Sequence, residues 1–275
     1  PPTPPGADPV VAEFAATLRQ ANEAASEVFQ AWAGADRSAA PLTRTIRVDT
    51  EAYPHLLDHC FFRQAEGWEN VGDRYPVVPM TMSLEWVLEA ARALAPGRCA
   101  IALEQVRATQ WLAPEKPIDL DITAAFTHPD RVHVALVGYL EADVVLADEW
   151  PQPPAPTAGH PGAEQKPSVG AAALYADRWM FHGPAYQGVV EVGPVREDGI
   201  EGVIEPLPAD GALLDCAGQL MGYWIMEQVE RDRMAMPVLL GAARFYGPHP
   251  EAGTKVACRV DVADLGARQV KADLE

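Results

Sequence analysis

His59, Asp215 and Gln219 are the residues whose types and spacing could do chemistry. His59 stands in "HLLDHCFF", four residues after His55 and upstream of the Pro-punctuated stretch "YPVVPMTMSLEWVLEAA". Imidazole's reference pKa of ~6.5 makes a histidine the natural general base at neutral pH. The i, i+4 histidines also match part of a zinc HExxH pattern. Here Leu56 holds the glutamate place, Pro54 precedes the pair and no downstream residue completes a triplet, so no metal is expected. A histidine satisfied within the core is the competing explanation.

Asp215 sits in "LLDCAGQ", inside an otherwise apolar helical pattern. A carboxylate there is costly unless it is paired or used. Gln219, four residues on, shares its helix face. The apolar neighbours Leu213, Leu214, Ala217 and Leu220 are expected to raise the carboxyl pKa and make it a proton donor. The plainer alternative is an acidic residue complementing the helix dipole in a first turn. A base and a neutral acid facing each other suit removal of a proton and a hydroxyl from adjacent carbons.

The elements that must position these groups fall into two similar runs. Residues 8–33 predict an amphipathic helix, with Asp8 as cap and Val11, Phe14, Leu18, Ala21, Ala25, Val28 and Trp32 on one stripe. A helix that packs on its own domain fits this pattern, and so does a docking or dimer helix. A strand at 44–50 follows, then a helix from about Ser83 to Leu94 that Pro96-Gly97 ends. Strands are predicted over 99–112, 118–127 and 131–147, with Pro129-Asp130 in a turn. Residues 150–168, rich in Pro, Ala and Gly, read as a linker. The order then repeats: a lead-in at 174–192, strands about the turn Asp198-Gly199, a helix over 212–231, and strands after Pro237 and at the end of the chain. A helix that apolar must be wrapped by its own sheet. The expected organisation is a linker and helix (1–40), a first half with His59 (41–149), the linker (150–168) and a second half with Asp215 (169–275).

Composition bounds the partners. The net charge of −18 argues against nucleic acid, whose binders need a basic face. No apolar run reaches the length of a membrane span. Cys60, Cys99, Cys216 and Cys258 are scattered without a CxxC pair, which fits reduced thiols in a cytoplasmic protein. The opening "PPTPPGADP" looks like the end of a linker, so a domain of a longer polypeptide is expected.

Three blocks together resemble the dehydratase domains of type I polyketide synthases, modular or iterative, which are related to those of fatty acid synthases. "LLDHCF" with "VVPMT" is similar to the catalytic-histidine motif; "FHGPAYQGV" is similar to the second-half block, usually Tyr-Gly-Pro-x-Phe-Gln; and "LLDCAGQ" is similar to the Asp-x-x-x-Gln motif. The resemblance covers about residues 40–275. It implies an α+β double hotdog fold, two long helices each wrapped by a curved antiparallel sheet. It departs from the family at one point. The family keeps its Gly and Pro close behind the His, whereas here Arg63 stands in the Gly place and Pro79 lies beyond an insertion over 63–76 containing Gly67 and Gly72. Some polyunsaturated-fatty-acid and enediyne-type iterative synthases look similarly unusual here.

The resemblance implies dehydration of a 3-hydroxyacyl thioester on an acyl carrier protein. His59 would take the C2 proton and Asp215, oriented by Gln219, would protonate the leaving C3 hydroxyl. Backbone amides of Met80, Thr81 and Met82 at the helix start would stabilise the enolate oxygen. Pro79, His182, Gly183, Pro184 and Tyr186 would shape the pocket; His182 stands in the family's Tyr place and Tyr186 in its Phe place. Trp86, Trp179 and Trp224 read as core or tunnel wall. No cofactor belongs to this chemistry, since the phosphopantetheine arm arrives with the carrier protein. Neighbouring synthase domains and a second copy of the chain are implied as further partners. An isomerase, a cyclase or product-template domain, an inactive acyl-binding scaffold and a hotdog thioesterase share enough of the pattern to remain alternatives.

Overall fold

In strand β1 (Leu42–Val48) half-buried and exposed residues alternate, the signature of a sheet with one face on a core. β1 pairs antiparallel with β3 (Ile118–His128), and β3 turns at Pro129-Asp130 into β4 (Arg131–Leu136). The computed structural model describes residues 40–155, 163–228, 235–266 and 269–275. The helix expected over 8–33 lies outside the described residues.

The predicted strand 131–147 is two strands. β4 ends at Leu136 and β5 runs over Leu140–Ala147, with Leu136 opposite Leu140. Gly138 adopts φ +85°, the left-handed conformation that a three-residue hairpin loop places at one position. β2 (Cys99–Ala108) stops short of the predicted residue 112. Its pairing with β5 slips between Glu104 and Arg107, where Gln105 takes φ +53°.

Helix α1 (Met80–Leu94) is buried almost all round: Met82, Leu84, Trp86, Val87, Leu88, Ala90 and Ala91 are enclosed by β2, β3, β4 and β5. It begins three residues before the predicted start. Pro79 fixes its own φ near the helical value and lacks the N–H that would be orphaned there, so the first turn forms directly behind it.

The second unit is built alike. α2 (Ala171–Ala176) leads into β6 (Val189–Arg196) and β7 (Gly199–Ile204), followed by α3 (Ala212–Gln228). α3 buries Cys216, Ala217, Leu220, Tyr223, Trp224 and Ile225 against β6, β7 and β9 (Val256–Leu265). The sheet order is β10-β9-β7-β6, with β10 spanning Val270–Leu274. Trp86 and Trp224 are core residues, and Trp179 packs partly buried beside the second core.

A strand crosses between the halves. β8 (Leu239–Arg244), although it follows α3, pairs with β2 and completes a first sheet of order β1-β3-β4-β5-β2-β8. The tail of the predicted linker is also structured: Gln165 bridges Val195 through backbone hydrogen bonds of 2.8 and 2.9 Å.

Candidate active site

The segment Pro54–Asp58 forms a 3-10 turn, and His59 closes it with its amide on the Leu56 carbonyl at 3.0 Å. His59 is then held at both ends by Val77. Its backbone carbonyl accepts from the Val77 amide at 3.1 Å, and its Nδ1 lies 2.7 Å from the Val77 carbonyl. A carbonyl can only accept, so Nδ1 carries the hydrogen and Nε2 is left with the lone pair. The chain continues this ladder, with Cys60 bridging Pro76, Phe61 N donating to Tyr75 O and Phe62 N to Arg74 O. The insertion over 63–76 is therefore an excursion that returns to where it left. That return brings Pro79 and the start of α1 back beside His59 across 20 positions of sequence.

Asp58 joins this turn to the second half. Its backbone carbonyl accepts from Gly183 N at 2.7 Å, and its Oδ2 accepts from Ala185 N at 2.9 Å. The carboxylate lies so near Gly183 that any Cβ there would collide with it. Pro184 opens the 3-10 turn Pro184–Tyr186, fitting the position that needs no N–H. The clamp sets His182 against His59, with ring centroids 5.1 Å apart, while Phe181 stacks on His182 at 4.1 Å.

Asp215 lies in the first turn of α3. Its Oδ2 receives Gln219 Nε2 at 2.7 Å and lies 3.1 Å from His182 Nε2. Gln219 is itself fixed: its Nε2 also donates to the Tyr186 carbonyl at 2.8 Å, and its Oε1 accepts from Tyr175 Oη at 2.8 Å. Tyr175 Oη in turn accepts from Val189 N at 3.0 Å. Gly211, at φ +75°, lets the lead-in to α3 pass against the Thr81–Met82 peptide, where a Cβ would not fit.

His59, His182 and Asp215 form, among the described residues, a group whose ligand-type atoms lie within 4.8 Å of one another. Such a spacing is one a divalent cation could use; in this arrangement Asp215 Oδ2 engages His182 and Gln219. His55 stands apart from this group. Its ring packs edge-on to Tyr53 and Tyr186, so the i, i+4 histidine pair does not converge on one point.

The electrostatics differ for the two halves of the site. His59 is 6 % exposed, and burial pushes its pKa down to about 4 despite the pull of Asp215. It is therefore a neutral imidazole at pH 7. Asp215 corrects an expectation. Burial is the largest influence on it and favours the neutral acid, as the apolar neighbours suggested. The charge and hydrogen bond of His182, with His59 and Gln219, outweigh burial and hold the carboxyl below its ordinary value. Burial pushes the neighbouring Cys216 thiol up to about 12, so it is no nucleophile.

The structure brings together His59, Asp215, Gln219, His182 and Tyr186. His182, expected to line the pocket with a polar role as the lesser alternative, touches Asp215 directly. Met80, Thr81 and Met82 are the first three residues of α1, so their amides are the ones that lack partners within the helix. Residues that sequence reasoning missed are Asp58, Tyr175 and Phe181. Asp58 was visible as a charge beside His59, but its cross-half clamp follows only from the fold. A chain of rings, His59–Phe181–Phe61–Trp111, runs from the site to the half-exposed Trp111.

No protein-family model matches the chain, and no curated protein matches its sequence. Solved structures do match. Two long helices, each wrapped by an antiparallel sheet, make this an α+β double hotdog, the fold of polyketide synthase dehydratase domains. The dehydratase domain of a mycocerosic acid synthase-like polyketide synthase superposes with a TM-score of 0.63 at 19% identity, over 86% of this chain and 84% of that one. The dehydratase domain from the CurF module of the curacin polyketide synthase gives 0.60 at 14% identity, over 86% and 91%. A bifunctional dehydratase-cyclase domain of ambruticin biosynthesis gives 0.56 at 20% identity, over 85% and 84%.

Proposed function

We propose that this chain is a dehydratase domain of a type I polyketide synthase, a hydro-lyase. It would convert a 3-hydroxyacyl thioester on an acyl carrier protein to the 2,3-enoyl thioester. The observation that carries the reading is the meeting of His59 from one half with Asp215 from the other. The two are buried together at the junction of a fold shared with dehydratase domains.

His59 Nε2, unprotonated at neutral pH and aimed by the Val77 carbonyl, takes the proton from C2. The electrons of that bond form the C2–C3 alkene as the C3–O bond breaks. The leaving oxygen receives a proton from the acid centred on Asp215, which Gln219 orients. Negative charge developing on the thioester oxygen is met by amides in the first turn of α1, at Met80, Thr81 and Met82. Proton-transfer groups of this kind each contribute about 10² to 10⁴ in rate.

The two halves thus divide the labour, with the base in 41–149 and the acid in 169–275. The substrate arrives on the carrier protein's phosphopantetheine, and the chemistry asks for no cofactor held by this domain. Neighbouring synthase domains in the same polypeptide, a second copy of the chain and a cytoplasmic setting belong to this reading. Among the described residues no helix is long and apolar enough to cross a membrane. The test is to incubate the protein with 3-hydroxyacyl pantetheine thioesters of several lengths and follow acyl mass. Loss of one water, about 18 Da, supports the reading. An unchanged mass throughout, with rearranged product, would favour isomerisation or cyclisation instead.

A further inference from the structure

We propose that His182 is a positioning residue for the acid step: His182 and Asp215 carry one proton between them, and that shared proton goes to the leaving hydroxyl. The inference rests on the dehydratase reading of the same site and deepens it.

Geometry carries it. His182 Nε2 lies 3.1 Å from Asp215 Oδ2, the same oxygen that receives Gln219. His182 is 8 % exposed. Phe181 stacks on its face, its carbonyl accepts from Gln187 Nε2 at 2.9 Å, and the next residue is clamped by Asp58. Its Nδ1 is buried without a hydrogen-bond partner among the described residues, so Asp215 is the polar group it engages. A ring held this firmly on a carboxylate does more than line a wall. The two groups are close enough to share one hydrogen between Nε2 and Oδ2.

The surroundings favour holding a single proton there. The titratable groups facing the pair are His59 from the first half, Tyr175 ahead of β6, Tyr186 from the 3-10 turn and Cys216 from α3. The charges of Asp58 and Asp210 act on Tyr186. Burial keeps the tyrosines and the thiol neutral at pH 7, and His59 is neutral as well. With His182 holding it below its ordinary value, the Asp215 carboxyl is mostly ionised at neutral pH, so the proton for the leaving group is one held jointly with His182. The protonated pair has no net charge, which a buried site tolerates.

The step balances. The C2 proton passes to His59 Nε2, the C–H electron pair becomes the alkene, and the C3–O bond breaks. The pair's proton completes the departing water. His59 then holds one proton more and the pair one fewer. Ligand-type atoms of the three residues lie within 4.8 Å, so a single water can return the proton and reset the site.

The test uses the whole domain with a 3-hydroxyacyl pantetheine thioester. His182→Gln, Asp215→Asn and the double variant are compared, with His182→Asn as a second, smaller replacement and thermal melting as the folding control. Each single variant is expected to lose about 100-fold or more in kcat, and the double variant to lose no more than the worse single. The alkaline limb of the pH–rate profile should move to higher pH in His182→Gln, because His182 no longer holds the Asp215 carboxyl down. Retention of wild-type kcat within about threefold, or losses that multiply, would overturn the proposal. Carbon-13 NMR of labelled aspartate gives a readout independent of turnover. The Asp215 carboxyl should titrate higher in His182→Gln than in the wild type, and an unmoved midpoint would refute the sharing. A wild type that never dehydrates but shows the NMR shift would sink the dehydratase reading and the acid step, while the proton-sharing pair stands.

Discussion

Gly183→Ala should damage both stability and activity although it adds one methyl group. The new Cβ would collide with the Asp58 carboxylate. Overpacking of a fixed site costs about 1–3 kcal/mol. If Asp58 swings away instead, the site loses its charge-assisted bond to Ala185 N, worth about 1.5–3 kcal/mol. Either route gives a loss on the order of 1–3 kcal/mol, which for a domain of this size lowers Tm by roughly 2–10 °C. Dehydration should fall with it, because the same clamp sets His182 and Phe181 against His59. The assay is a double-mutant cycle with Asp58→Ala, read by urea unfolding. Removing the carboxylate relieves the closest contact, although the Cβ of residue 58 still lies 2.8 Å from the new methyl group, so Gly183→Ala should cost less in that background than in the wild type. The cycle should show coupling of about 1 kcal/mol or more. Additivity to within about 0.5 kcal/mol would refute the clamp.

The burial of His59 predicts an acid-sensitive fold. Its folded pKa of about 4 lies below an unfolded value of ~6.5, so between these the unfolded chain binds the extra proton. Stability should therefore fall as pH drops through that window, by roughly 3 kcal/mol at pH 4, and His59→Gln should flatten that slope in urea unfolding. Asp215, also lowered, acts in the same direction but only below the ordinary carboxylate range, so the two effects separate on the pH axis. Tyr175→Phe removes the hydroxyl that receives Val189 N and holds Gln219 Oε1. It should cost about 1–3 kcal/mol by thermal unfolding and lower kcat more than it raises KM.

Much of this arrangement was legible in the sequence because it is local. The apolar run after Pro79 and the one containing Asp215 each had to be a wrapped helix, and His59, Asp215 and Gln219 stood out as polar groups in apolar surroundings. What was missed is long-range or depends on a neighbour. The hairpin at Gly138 was hidden because its flanks, Val137 and Tyr139, are apolar, and a lone glycine is a weak turn signal. β8 joins the first sheet through pairing with β2, which no pattern within its own six residues specifies. The direction of the Asp215 shift reversed because His182, 33 positions earlier in the chain, lies 3.1 Å away in space. The separation of His59 from Pro79 looked like a disrupted motif. The Cys60–Pro76 bridge makes it a closed excursion that leaves the site intact.

The central claim is that His59 of the first half takes the C2 proton while Asp215 of the second serves the C3 oxygen. The direct measurement is dehydration of a C2-deuterated 3-hydroxyacyl pantetheine thioester, followed by acyl mass for the wild type and His59→Ala. The account predicts loss of water with the deuterium removed from C2 and a slower rate than with the protiated substrate. His59→Ala should be about 10² to 10⁴ slower while thermal melting shows that it still folds. Equal turnover by wild type and His59→Ala, or an enoyl product that keeps all its C2 deuterium, would contradict it.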